Sequence, residues 1–241
     1  MSFTIVDLFA ATVNAFNGGL LGQRPDHYRG NYWTVVGIIV LAFFGGIGGG
    51  ITRDVLLNVA PGALTDARYI VLCLLAGIVA LFLAFGKGQK FRETFYQFFT
   101  AFSLPWYAIV GVEKGLQADW PLLGAVFLGV VGPTAGRFLI DVACGVPAKQ
   151  LVQGEWFVGT AALTSFVYYF LRAGAYDGVG LSLSFTAATL LAFAIGFVFR
   201  LAAIWFDWEE PMPRVPEKLL AGLPKRWSLK EKMQPGWEPE D

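Results

Sequence analysis

Two short stretches of this chain place ionisable groups inside runs apolar enough for a bilayer. In the first, Gly45, Gly46, Gly48, Gly49 and Gly50 lead into Arg53 and Asp54. In the second, Gly132, Pro133 and Gly136 stand beside Arg137 and Asp141. A glycine in a helix interior costs roughly 1 kcal/mol relative to alanine. A charge at membrane depth costs about 2.5–3.5 kcal/mol on insertion scales. Stretches that carry both costs point to transport, because glycines let backbones approach or a helix bend, and charges at depth mark ion and substrate routes. Tight packing is the other reading: Gly45 and Gly49, like Gly46 and Gly50, have small-xxx-small spacing.

The charges have several possible partners. Arg53 and Asp54 are neighbours in sequence and point roughly 100° apart on a helix, which makes them poor partners for each other. Arg137 and Asp141 are at i, i+4 and can pair within one helix. Arg53 can instead approach Asp141, and Asp54 can approach Arg137. In a third arrangement all four lie solvated at headgroup level, since residues 34–53 alone would span a bilayer; the apolar run from Val55 to Ala60 speaks against it. Glu113, Lys114 and Glu155 read as interfacial charges near the ends of apolar runs, and Asp7 as a charge at a helix N-terminus.

These residues sit in a chain built for a membrane. Of its 241 residues, 56% are hydrophobic and only 15% charged, and the mean hydropathy is +0.56, which predicts an all-α polytopic membrane protein. Seven apolar runs have transmembrane length, at about 4–22, 34–59, 68–86, 95–115, 121–145, 154–172 and 184–206. The second and fifth are long and glycine-interrupted, as kinked or broken helices are. A zero net charge gives no support for nucleic acid as a partner. Cys73 and Cys144 lie within apolar runs and read as small core residues, and the single histidine, His27, predicts no metal site. Ser2, Thr4 and Asp7 make no basic n-region, so the first run is expected to be a mature span. Tryptophans 33, 106, 120, 156 and 205 flank the runs as an aromatic belt would. The segment 207–241 is rich in proline and charge and reads as a cytoplasmic tail. Arg24, Arg29, Lys87, Lys90, Arg92, Lys149 and the tail's basic residues fall on one side, which predicts the N-terminus outside and the C-terminus in the cytoplasm.

The chain also repeats itself. Gly18-Gly19, the glycine run, Asp54 and Pro61 are matched later by Gly111, Gly129, Gly132, Pro133, Gly136, Asp141 and Pro147. Three runs in each unit make the second unit enter the membrane inverted. The expected domains are residues 1–93, 94–180, a seventh helix in 181–206 and the tail.

Gly48-Gly49-Gly50-Ile51-Thr52-Arg53-Asp54-Val55-Leu56, followed by Pro61, resembles the Gly-Gly-Gly-x-x-Arg-Asp-x-Leu signature of a prokaryotic membrane family. That family is often labelled "glycine transporter domain" and is related to the trimeric intracellular cation (TRIC) channels. Leu104-Pro105-Trp106-Tyr107 through Glu113-Lys114 is similar to the opening of its second repeat. The resemblance covers about residues 5–206. It implies seven spans arranged three plus three plus one, a homotrimer, and a cation pathway inside each protomer flanked by the second and fifth helices. Two departures stand out: Arg137 lies four residues before Asp141 instead of beside it, and Thr100 stands where the first half has Asp7.

The leading expectation is a passive channel for monovalent cations, potassium or sodium, in the cell membrane, with lipid as its surroundings. The alternative is a secondary transporter for a small solute such as glycine, using the same broken helices. No cofactor is expected, and no nucleophile–base set or phosphate motif suggests an enzyme.

Overall fold

The fold comes from a computed structural model that describes residues 3–23, 33–85, 89–148, 150–151, 156–176, 178 and 180–211. Arg24, Arg29, Lys87, Lys149, His27, Glu155 and the tail beyond Pro211 lie outside the described residues, as do the side chains of Lys90 and Arg92.

The described residues are mostly helical. Helix α1 spans Phe3–Leu21, and α2 (Val35–Phe43) starts at Thr34, whose hydroxyl accepts from the Gly37 N–H at 3.1 Å. A π-helical turn, Phe44–Gly48, carries α2 directly into α3 (Gly49–Leu56). The glycine run therefore does not break the helix but widens it by one residue per turn, a distortion that side-chain-free positions accommodate and that concentrates at functional sites. Helix α4 (Gly62–Thr65) is a single turn, followed by α5 (Ala67–Phe85), α6 (Gln89–Gln117), α7 (Leu122–Ala143), α8 (Phe157–Arg172), a 3₁₀ turn (Ala173–Ala175) and α9 (Phe185–Trp205). Each of the seven apolar runs falls on one of these helices, counting α2 to α3 as one.

Helix ends explain where the carboxylates sit. After α3, Asn58 turns left-handed at φ 54°. The Val59 N–H then bonds the Asp54 carbonyl at 3.0 Å, and the Asn58 N–H bonds that of Val55 at 3.0 Å. After α7, Gly145 does the same at φ 65°, with Val146 on the Asp141 carbonyl at 3.0 Å and Gly145 on that of Val142 at 3.1 Å. Both are Schellman caps, and both place an aspartate two residues before the last helical position. With the caps aligned, Gly45 matches Gly132 and Gly49 matches Gly136, while Arg137 falls on Gly50 and Ile140 on Arg53.

Packing follows the same correspondence. Helix α1 packs on α2, the π turn, α5 and α6, while α6 packs on α7, α8 and α9. Helix α7 crosses the π turn and α3. A Cβ on Gly49 would run into the Gly132 carbonyl oxygen, and one on Gly136 would meet the carbonyls of Phe44 and Gly45 at 2.9 and 3.1 Å. The two contacts exchange when the two helices are exchanged. A Cβ on Gly18 would likewise reach the Leu41 carbonyl, and one on Gly111 that of Leu128.

Thr4–Leu21, Val35–Leu56, Leu122–Ala143 and Phe185–Trp205 are long and apolar enough to cross a membrane, and Ala67–Leu83 forms a shorter apolar helix. Leu74, Leu75 and Phe82 on α5 and Leu190, Leu191 and Val198 on α9 are exposed. Outward faces of this kind are a liability in water and natural in lipid. Trp106 departs from the expected belt: it is 6% exposed, between Phe9 and Phe193, the latter ring 4.4 Å away. Cys73 and Cys144 are buried free thiols.

Candidate functional site at the crossing of α3 and α7

Among the described residues, Arg53 is the largest fully buried side chain, 1% exposed, and Asp54 is equally covered. The sequence-based expectation that these neighbours make poor partners is overturned. Arg53 Nε donates to Asp54 Oδ1 at 3.0 Å, because the long arginine stem folds back along its own helix, while Nη2 reaches Asp7 Oδ2 on α1 at 3.5 Å. Asp54 collects two more donors: Lys114 Nζ of α6 at 2.7 Å and the Gly62 N–H at 3.1 Å. The Tyr69 hydroxyl of α5 donates to Asp7 at 2.9 Å. Two carboxylates, two cations and the Tyr69 phenol thus meet from four helices, and burial excludes a solvated headgroup position for Arg53 and Asp54. Asp7 (6% exposed) holds a buried arginine and is more than an N-terminal helix charge.

Arg137 and Asp141 take the intrahelical option, at 3.2 and 3.3 Å to the two carboxylate oxygens. Arg53 is engaged with Asp54 and Asp7, and Asp54 with Arg53 and Lys114, so the cross-helix pairing of Arg53 with Asp141 and of Asp54 with Arg137 is not formed.

Between these two charged ends lies the glycine crossing. The Tyr107 hydroxyl of α6 donates to the carbonyl of Gly46 in the π turn. On the Asp141 side opens a small cleft with a volume of about 30 Å³, lined by Asn14, Asn17, Gly45, Thr100, Ser103, Pro133 and Arg137 among others. Pro133 has no N–H to give the carbonyl four residues earlier, so α7 also carries a freed acceptor. Of the other glycines singled out, Gly46 packs on Cys73 and Ala15 and Gly48 on Leu139, whereas Gly50 is open apart from Arg53 Nη2 at 3.8 Å.

A separate buried cluster corrects the interfacial reading of Glu113, which is 2% exposed. It accepts from Tyr168 at 2.7 Å, Tyr176 at 2.8 Å and Gln117 at 3.3 Å, with Arg172 Nε 3.4 Å away. Burial, then the Glu113 carboxylate, push the Tyr176 phenol above its ordinary value and keep it a donor. Glu113→Gln removes the only carboxylate shown facing Arg172 and should cost about 1–3 kcal/mol. Tyr176→Phe, which deletes one half-exposed donor, should cost about 1 kcal/mol. Thermal unfolding in detergent measures both, and equal losses would contradict this ranking.

A family profile described as glycine transporter matches residues 4–84 and 97–173 of the chain. The chain belongs to the glycine transporter family. Two relatives carry the name UPF0126 membrane protein. That of Deinococcus radiodurans is 27% identical over 158 residues, 65% of this chain and 70% of the relative. That of Vibrio cholerae is 25% identical over 211 residues, 87% and 81% respectively. Together with the apolar helices, these matches make this member of the glycine transporter family a membrane protein. Its fold is shared with TRIC channels. A structure solved to explain conductance through TRIC cation channels superposes with TM-score 0.73 at 20% identity, covering 90% of this chain and 99% of the other. The trimeric intracellular cation channel orthologue from Rhodobacter sphaeroides gives 0.70 at 23%, covering 85% and 98%.

Sequence reasoning overlooked Tyr69, Tyr107, Tyr168, Asn14, Asn17 and Ser103 in this glycine transporter fold. The available signal was a polar side chain inside an apolar run, the same cost in lipid that drew attention to the charges.

Proposed function

We propose that the chain is a passive channel for monovalent cations, potassium or sodium, in the cell membrane. The pathway runs inside one protomer along the crossing of α2–α3 with α7. The observation that carries this reading is the contrast between the crossing's two ends. One end is an open cleft that reaches Gly45 and carries the side-chain oxygens of Asn14, Asn17, Thr100 and Ser103 beside the internally paired Arg137. The other is filled by Lys114 and Arg53 on Asp54. A route of neutral oxygens closed by a displaceable ammonium suits passage of a cation and needs no catalytic residue. The fold likeness to TRIC cation channels supports it.

The proposal includes seven crossings. Two three-helix units of opposite orientation, 1–93 and 94–180, are followed by α9 within 181–206 and a cytoplasmic tail, 207–241. The paired Schellman caps, the exchanging glycine contacts and the family match in two stretches support this layout. The protein is read as a homotrimer with its N-terminus outside. In right-side-out vesicles, cysteines at Asp119 and Leu151, both exposed, should label from opposite sides, Asp119→Cys from the outside. Labelling of both from one side would exclude the seven-crossing layout.

The second reading, favoured by the family's description, is a secondary transporter for a small solute such as glycine. Liposomes containing only this protein separate the two. Potassium and sodium should equilibrate without a driving solute, and labelled glycine should not accumulate. Lys114→Met should raise cation flux roughly tenfold, because a charge-assisted bond is worth about 1.5–3 kcal/mol and 1.4 kcal/mol is a factor of ten. Sodium-driven glycine uptake with no uncoupled cation flux would favour the transporter instead.

A further inference from the structure

The cleft on the Asp141 side is the counterpart of the filled ionic end. With α3 laid on α7, Ile140 stands where Arg53 is. With Gly18 laid on Gly111, Thr100 stands where Asp7 is, Leu21 where Lys114 is, and Asn14 where Tyr107 is. Thr100, Leu21, Asn14 and Ile140 all line the cleft. Each substitution removes a charge or a large side chain, and polar Asn14, Asn17, Thr100 and Ser103 share the space they leave with apolar side chains.

The polar groups there are incompletely satisfied. The Ser103 hydroxyl donates to Asn14 Oδ1 at 2.8 Å, so its oxygen accepts the Asn17 amide N–H at 3.3 Å. That relay turns the Asn17 amide nitrogen toward Ser103 and leaves its Oδ1 without a partner. Thr100 Oγ1 is also without one, and Asn17 and Thr100 are 7% and 6% exposed. Buried oxygens of this kind call for a donor or a cation. An anion is not suited to an amide oxygen, and the Arg137 charge at the cleft is met by both oxygens of fully buried Asp141. The lining holds no carboxylate, whereas calcium and magnesium sites depend on carboxylates.

We infer that this cleft binds one partly dehydrated monovalent cation on Asn17 Oδ1 and Thr100 Oγ1, with Ser103 and Asn14 orienting the Asn17 amide. The inference rests on the channel reading for its ligand class and makes this the resting place of the ion before the Lys114–Asp54 closure.

The test uses the full-length protein in nanodiscs of neutral lipid, with potassium chloride replacing choline chloride at constant chloride. The unfolding midpoint should rise with potassium and saturate. Asn17→Leu and Thr100→Val should each weaken the apparent potassium affinity about tenfold. Thr134→Val, whose hydroxyl is bound to the Val130 carbonyl at 2.7 Å, should leave it unchanged. If Asn17→Leu fails to assemble, Asn17→Asp keeps the shape and should tighten potassium binding and admit calcium. A midpoint indifferent to potassium in the parent, or one that all variants share, means water alone occupies the cleft and overturns the site. Potassium flux measured alongside keeps the two ideas apart. Flux without a potassium-dependent midpoint leaves the channel and removes the site. A potassium-dependent midpoint lost in the variants, without flux, leaves the site and removes the channel.

Discussion

Gly49→Ala is expected to destabilise the protein by about 3 kcal/mol and abolish cation flux, whereas Gly50→Ala is expected to do neither. Helix propensity alone predicts the opposite for Gly49, since alanine should stabilise either position by roughly 1 kcal/mol. The difference lies in what the new methyl group meets. At Gly49 it meets the backbone carbonyl of Gly132, which cannot move without carrying α7 along. Overpacking of this kind typically costs about 1–3 kcal/mol, and a rigid backbone obstacle belongs at the upper end. At Gly50 the methyl meets only the end of the Arg53 side chain at 3.8 Å. Unfolding in detergent and potassium flux in liposomes report the two effects separately. Gly49→Ala protein that unfolds and conducts as the parent does would show that α3 and α7 are not held in this contact. Gly136→Ala, the reciprocal position, should behave like Gly49→Ala.

Arg53→Ala should cost about 3–5 kcal/mol, the usual result of removing one partner from a buried ionic group. It strands Asp7 with Tyr69 alone and leaves Asp54 to Lys114 and the Gly62 amide. Asp54→Asn should be much milder for folding, because it keeps the shape and an acceptor oxygen for Lys114 or Arg53. Its effect should appear in flux, since a formal negative charge is lost where the proposed pathway is closed. Expression, assembly and unfolding identify the first variant's defect, and relative potassium and sodium flux identify the second's. If Asp54→Asn assembles normally and conducts every cation as the parent does, Asp54 is structural and the proposed pathway does not pass it. If Arg53→Ala is as stable as Asp54→Asn, the cluster does not hold the four helices together.

The sequence alone determined the membrane class, the position of every long helix, and the special character of the two glycine-bearing segments. These are local properties, because apolar runs set helix positions. The pairing of Gly45 and Gly49 with Gly132 and Gly136 was also foreshadowed, because a repeat leaves a visible pattern of small residues. Only the tertiary structure decided that Arg53 bonds its own neighbour as well as Asp7, that Lys114 and Glu113 turn inward to different clusters, and that Trp106 is core. Only it brought Asn14 and Asn17 against Thr100 and Ser103. Those choices depend on the rotation and depth at which one helix meets another. Backbone contacts such as Gly49 on Gly132 and Gly18 on Leu41 set that register, and the contacting residues are far apart in sequence. A charged side chain long enough to reach several partners takes whichever one that register brings within about 3 Å.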